Sequence, residues 1–376
     1  MGGVFAPPKI ALLRDFPQSL KVLVVGRRTA RGFSGEGIRL LTSAATSSES
    51  AFQAQDRSQK KRGEADKAGV LCTQMYPPVV TKDPTAVEAE AQSAFLTIFP
   101  NGDCYFVPRV FGWAIEAFTG NYRDYQAVDA YYHDFEHTLQ GTLCFVRLLR
   151  GRHLAGDAPV LTPRVFQLGL AAILLHDTGY LKKRDDRIGT GAKYTVTHVE
   201  RSAEFARAVL EEKSFSAAEI KAVQNMILCT GVDSKLAEIP FQSEIERMVG
   251  FALATADLLG QMAAEDYVDK LPVLYAEFVE AVNFSKNKNH FIASFTSAED
   301  LMRRTPSFWR DCVRVKLEKE YEGLYRFLNT PYPDGPNEYV ERIEANMARL
   351  ERSEIGAAIR PESGSSKREE QTSLQV

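Results

Sequence analysis

From about residue 85 the chain repeats its apolar residues at helical spacing and offers no convincing run of apolar–polar alternation. Its fold must therefore be built from helices packed on helices. The spacing predicts helices over 87–99 and 108–118, and a third over 133–150 with Phe135, Leu139, Leu143 and Val146 on one stripe. Thr162 and Pro163 read as the cap and first-turn residue of an apolar helix running to Leu175. Thr197-x-x-Glu200 and Ser216-x-x-Glu219 have the capping-box pattern, in which the first turn satisfies its own orphan amides, and predict two further helix starts. Helices over 243–262, 266–282, 306–328 and 337–352 complete an all-α domain spanning residues 85–355.

The ends differ in composition. Of 376 residues, 46 are Lys or Arg and 49 Asp or Glu, but residues 1–70 hold 12 basic and 6 acidic residues, a net +6 that leaves −9 for the remainder. This part is rich in Ser, Thr, Ala and Gly, and only residues 21–25 (KVLVV) look strand-like. It buries too little apolar surface to offset its ordering entropy, so residues 1–84 are expected to be a basic, disordered extension and 356–376 a polar tail. Residues 27–34 (RRTARGFS) are Arg- and Ser-rich like an organelle presequence, yet Asp15 and Glu36 break the acid-poor character such a segment needs. A cytoplasmic protein is expected, with organelle targeting through the basic segment as the alternative.

No apolar run approaches the roughly 20 residues of a membrane span, so no membrane association is expected. The near-neutral total gives no ground for nucleic-acid binding. Five scattered cysteines without a CxxC pair argue against a disulfide framework and against a cysteine zinc site.

The chain has six histidines, and four of them carry the chemistry. In Tyr132-His133-Asp134-Phe135-Glu136-His137 the two imidazoles lie one turn apart on a helix face, a pairing that by itself is more often accidental than functional. His176-Asp177 ends the apolar run 168–175, where burial is costly unless the two groups cap the helix together or hold a cation. Asp257 interrupts an apolar helix too far from its N-terminus for the dipole to stabilise it, so it needs an Arg partner or a cation. One explanation covers all three intrusions if they converge on a divalent ion. Two imidazoles and two carboxylates suit zinc, manganese, iron or magnesium.

In this order, His137, His176-Asp177 and Asp257 resemble the signature of the HD-domain superfamily of metal-dependent phosphohydrolases, over about residues 85–330. Tyr132-His133-x-x-x-His137 is similar to the YHNxxH element of its cyclic-nucleotide phosphodiesterases, with Asp134 in place of Asn. The resemblance implies an HD-domain helical bundle. It implies that His137, His176, Asp177 and Asp257 hold a first metal, that Asp177 bridges to a second, more loosely held one, and that His133 acts as general acid. A metal-bound hydroxide would then attack a phosphodiester of a nucleotide-like small molecule, and His133 would protonate the leaving oxygen.

Departures narrow the match. Only His198 lies between His176-Asp177 and Asp257, which disfavours the histidine-rich cyclic-dinucleotide phosphodiesterases and di-iron oxygenases of the same superfamily. No Gln occurs between Gln261 and Gln371, so the purine-reading Gln of mammalian-type phosphodiesterases has no counterpart, and Tyr180 stands where their HDxxHxG has its second His. His198 reads either as a second-metal or phosphate contact or as an ordinary helix-start residue. The loop 189–195 (GTGAKYT) lacks phosphate-loop spacing, though Lys182, Lys183, Arg187 or Lys193 could meet a substrate phosphate from it. Two alternatives stand beside the phosphodiesterase reading: a mononuclear HD-type nucleotide phosphatase or triphosphohydrolase, and a non-catalytic metal-containing signalling module.

Overall fold

The computed structural model describes Tyr76, residues 78–231, 234–285 and 291–359, with side chains to residue 352. The expected disordered extension up to residue 75, its strand-like segment 21–25 and the tail beyond 359 lie outside the described residues. The chain from Val79 forms one unit. It is all-α, and among the described residues β pairing is confined to two isolated bridges, Thr119 with Ala127 and Tyr125 with Lys183.

The elements are α1 (Pro84–Ile98), α2 (Phe106–Phe118), α3 (Phe135–Leu154), α4 (Pro163–Leu175), α5 (His198–Glu212), α6 (Ala217–Ile227), α7 (Glu244–Met262), α8 (Tyr267–Phe284), α9 (Ala298–Phe308), α10 (Arg314–Lys319) and α11 (Glu338–Ile359). Among the described residues, no helix is long and apolar enough to cross a membrane. Several starts follow from the caps in the sequence. Thr162 Oγ1 accepts from Val165 N at 3.2 Å, Ser243 Oγ from Glu246 N at 3.3 Å, and Ser216 with Glu219 forms the full reciprocal box.

Three expectations are corrected. The helix expected from residue 133 begins at Phe135, because Asp134 adopts an extended backbone (φ −86°, ψ −176°) and caps it, accepting from His137 N at 2.9 Å. His133 therefore precedes the helix rather than sharing a helical face with His137. The Thr197–Glu200 box does not form: Thr197 Oγ1 donates back to the Tyr194 carbonyl at 3.4 Å, leaving no side-chain cap on α5. The single helix expected over 306–328 is three pieces. α9 starts earlier, at a Ser297 cap, and carries Pro306 inside it. A π turn (Trp309–Val313) joins it to α10, and the chain breaks at Glu322 and Gly323, both with positive φ.

The core is centred on α3, which is buried on nearly every side, and α7 packs along it. α4 lies against both, with Phe166, Leu170, Ile173 and Leu174 fully buried. The α3–α7 crossing is a backbone contact. A Cβ on Gly260 would lie 2.7 Å from the carbonyl carbon and oxygen of Gln140, and one on Gly141 would lie 3.6 Å from Asp257 Cα. Gly141 is one turn after His137 and Gly260 nearly one turn after Asp257, so this contact sets the spacing of those two side chains.

Candidate metal centre

Three helices bring the polar intrusions together. His137 sits in the first turn of α3, His176 is the C-cap of α4, Asp177 follows it, and Asp257 projects from the middle of α7. A short 3₁₀ turn, Thr178–Tyr180, then carries the chain against the start of α5. That approach requires glycine at 179, where a Cβ would lie 2.0 Å from the His198 carbonyl oxygen. It brings His198 up to Asp177.

His137 Nε2 lies 3.1 Å from Asp177 Oδ2 and 3.3 Å from Asp257 Oδ1, while His176 Nε2 lies 3.4 Å from each of the same oxygens. Each imidazole nitrogen thus faces both carboxylate oxygens at 3.1–3.4 Å, the crowding that ligands sharing one divalent ion show. His137, His176 and Asp177 alone offer ligand atoms within 4.8 Å of one another. The His176 Nδ1–H donates to the Ile173 carbonyl at 2.7 Å, so Nε2 carries the lone pair. Yet His176 Nε2 and Asp177 Oδ2 are buried without a hydrogen-bond partner. Such atoms are costly to bury unless something charged or protic sits between them. A metal ion fits this donor set.

Electrostatics agree. Burial pushes the His137 pKa down, but Asp177 and Asp257 outweigh it and raise the value to about 10. For His176 burial likewise opposes and the two carboxylates prevail, again upward. Burial raises the Asp257 pKa, and His176 and His137 more than reverse this. The pocket thus demands positive charge at its centre. His198 responds oppositely: burial lowers its pKa against the pull of Asp177, which keeps the imidazole neutral. Its Nδ1 donates to the Thr195 carbonyl at 2.7 Å, and its Nε2 lies 3.8 Å from Asp177 Oδ1. Asp177 therefore turns one oxygen to the His137–His176 pair and the other to His198.

His133 stands beside the cluster, its ring centroid 5.3 Å from that of His137. Its Nδ1 is 2.6 Å from Glu277 Oε2, and Glu277 Oε1 accepts from Tyr132 N at 2.7 Å. Glu277 is only 4 % exposed. Burial raises its pKa, but His133 outweighs this and holds the carboxylate ionised. Asp257 is steadied through its neighbour: Tyr132 Oη donates to Gln261 Oε1 at 2.9 Å, and Gln261 Nε2 donates to the Asp257 carbonyl at 3.1 Å. Side-chain exposures of 14 % for His133, 20 % for His198 and 12 % for Asp257, against 1–2 % for His176 and Asp177, put the opening on the His133–His198 side.

Glu277 was missed by sequence reasoning. Its one signal was a carboxylate four residues before Ala281, in register with the buried stripe of α8. Lys193 had been a candidate phosphate contact. The structure instead commits its ammonium to Asp186 Oδ1 and the Ile188 carbonyl, each at 2.5 Å. Lys182 is likewise taken by Asp129 at 2.7 Å and the Gly189 carbonyl at 2.6 Å. Even the amides of the glycine-rich loop are used: Thr190 N donates to Glu280 and Gly191 N to Asp129.

The fold and site together define an all-α protein with a buried His/Asp cluster suited to a divalent cation. Residues 110–351 match the model of the Npun_R2479-like family, and the chain belongs to that family. No curated protein matches the chain.

Proposed function

We propose that this chain is a metal-dependent phosphohydrolase of the HD-domain type that cleaves a phosphodiester of a nucleotide-like small molecule. The observation that carries the proposal is the convergence of His137 and His176 Nε2 with Asp177 Oδ2 and Asp257 Oδ1, two of these four atoms being buried without a hydrogen bond. A divalent cation held by these residues supplies Lewis acidity for water activation and neutralises phosphoryl charge. Asp177, with its second oxygen toward His198, would be the residue to share its carboxylate if a second cation were bound, and His198 would serve that cation or a phosphoryl oxygen. His133, its Nδ1 fixed on Glu277, has Nε2 left to give a proton to the leaving oxygen. That acid favours a phosphoester whose leaving group is a basic alkoxide, as in a nucleotide diester.

The test is turnover of bis(p-nitrophenyl) phosphate, p-nitrophenyl phosphate and a nucleotide panel with zinc, manganese, magnesium or iron, alongside metal analysis. The wild type cleaves the diesters, Asp177→Ala abolishes turnover, and His133→Ala, while keeping its metal, lowers kcat by about 10²–10⁴-fold on nucleotide diesters with alkoxide leaving groups but little on bis(p-nitrophenyl) phosphate, whose phenolate leaves without a proton. Retention of most turnover in His133→Ala on the alkoxide diesters would remove the general acid and leave a mononuclear phosphatase. Bound metal without turnover on any substrate would leave a binding module. Absence of bound divalent metal after supplementation would remove all three.

A further inference from the structure

The buried aromatic residue that follows the His-Asp pair has no role in the chemistry so far. Tyr180 is fully buried. Its ring stacks on His133 at a centroid distance of 4.4 Å and an interplanar angle of 12°, and on His198 at 4.7 Å and 25°. These are the two imidazoles at the mouth of the cluster, 6.1 Å apart and contributed by different segments. Among the described residues each is otherwise held at one nitrogen, His133 by Glu277 and His198 by the Thr195 carbonyl. A hydrogen bond at Nδ1 leaves an imidazole free to swing about that bond, and a ring stacked on its face removes the freedom.

The Tyr180 platform is itself rigid. It ends the 3₁₀ turn Thr178–Tyr180, and the Cβ of any residue replacing Gly191 would lie 2.1 Å from the Tyr180 carbonyl oxygen, so the loop above is in backbone contact with it. Arg201 bonds the carbonyls on either side, Gly179 at 2.7 Å and Leu181 at 2.9 Å. The Tyr180 hydroxyl is buried beside the Thr195 side chain, and it is the ring, not the hydroxyl, that the two histidines meet.

We infer that Tyr180 is a positioning residue, whose ring face fixes the orientation of both His133 and His198 toward the metal cluster. The inference rests on the proposed phosphohydrolase reading for its kinetic consequence, but not for its structural one.

Both consequences are read on the full chain. Tyr180→Leu keeps an apolar side chain and loses the ring. Its kcat on nucleotide diesters with alkoxide leaving groups falls by about 100-fold, as misplacement of a reacting group does, with KM and metal content within twofold of wild type. In ¹³C-histidine-labelled protein, the Hε1 and Hδ2 resonances of His133 and His198 lose the upfield shift of a stacked ring, while those of His153 stay in place. Tyr180→Phe keeps the ring and rescues both readouts. Unmoved His133 and His198 resonances in Tyr180→Leu would overturn the inference, as would a Tyr180→Phe variant as impaired as Tyr180→Leu. If Tyr180→Leu does not fold, NOEs in the wild type between the Tyr180 ring protons and the ring protons of both histidines decide the matter, and their absence refutes the stack. A wild type with no phosphodiesterase turnover but with these spectral changes would sink the functional reading and leave the positioning role standing.

Discussion

A carboxylate 4 % exposed on α8 costs free energy to bury unless it is ionised against a partner, and Glu277 has His133 at 2.6 Å and the Tyr132 amide at 2.7 Å. Its folded pKa is lowered, since His133 outweighs the opposing effect of burial. A depressed carboxylate pKa contributes stability that is present above the unfolded value, about 4.3 for Glu, and is lost as pH falls through the folded value. Glu277→Gln keeps the shape and removes this contribution. The melting temperature of wild type should exceed that of Glu277→Gln near pH 7, and the gap should close as pH drops from about 5 toward 3. A gap constant with pH would mean that the Glu277 charge contributes nothing. His137, His176, Asp177 and Asp257 were legible in the sequence because each puts a polar group where a helix is otherwise apolar. Glu277 was not: α8 carries other acidic residues, and only the tertiary contact with His133 distinguishes this one.

At the level of elements, helix identity was readable from periodicity and caps, and errors fell where a local signal was overridden. Asp134 is an N-cap residue visible in the sequence, and it starts the third helix at Phe135. It also explains why Asp serves where the resembling motif has Asn, since both side chains accept the same amide hydrogen bond. Thr197-x-x-Glu200 had the right letters, but Gly179 pulls the chain against His198, and Thr197 bonds backward to Tyr194 instead. Glycines inside helical patterns were the unread signal. Gly141 and Gly260 let α3 and α7 touch, one turn from His137 and three residues from Asp257. Gly260→Ala should force the helices apart at Gln140 and Gly141. Its cost should be about 1–3 kcal/mol from overpacking, measurable by denaturant unfolding, together with weaker metal retention on dialysis. Ala at Gly112, where a Cβ meets nothing within 4 Å, should leave metal retention unchanged. If Gly260→Ala keeps its metal as well as Gly112→Ala does, the crossing does not set the cluster.

Across the whole molecule, the cluster draws on residues as far apart as His137 and Asp257, so it exists only when α3, α4 and α7 are packed together. A cation bound there binds the folded state and not the unfolded chain. The acidic remainder of the chain, −9 beyond residue 70, adds no general attraction for an anionic substrate, and the basic side chains nearest the loop are already paired with Asp129 and Asp186. In the proposed reading, positive charge at the site comes from bound cations, which also answer the two carboxylates that draw the pKa of both imidazoles upward. Loading at 100 times the dissociation constant stabilises by about 2.7 kcal/mol. At roughly 2–4 °C per kcal/mol for a domain of this size, chelation should lower the melting temperature by about 5–10 °C, and readdition of metal should restore it. In His176→Ala the difference between chelated and metal-loaded protein should vanish, because one of the two orphaned lone pairs that define the site is gone. Differential scanning calorimetry with and without chelator measures both quantities. Coincident melting of the chelated and loaded wild type would show that His137, His176, Asp177 and Asp257 are held together by protons and not by a metal.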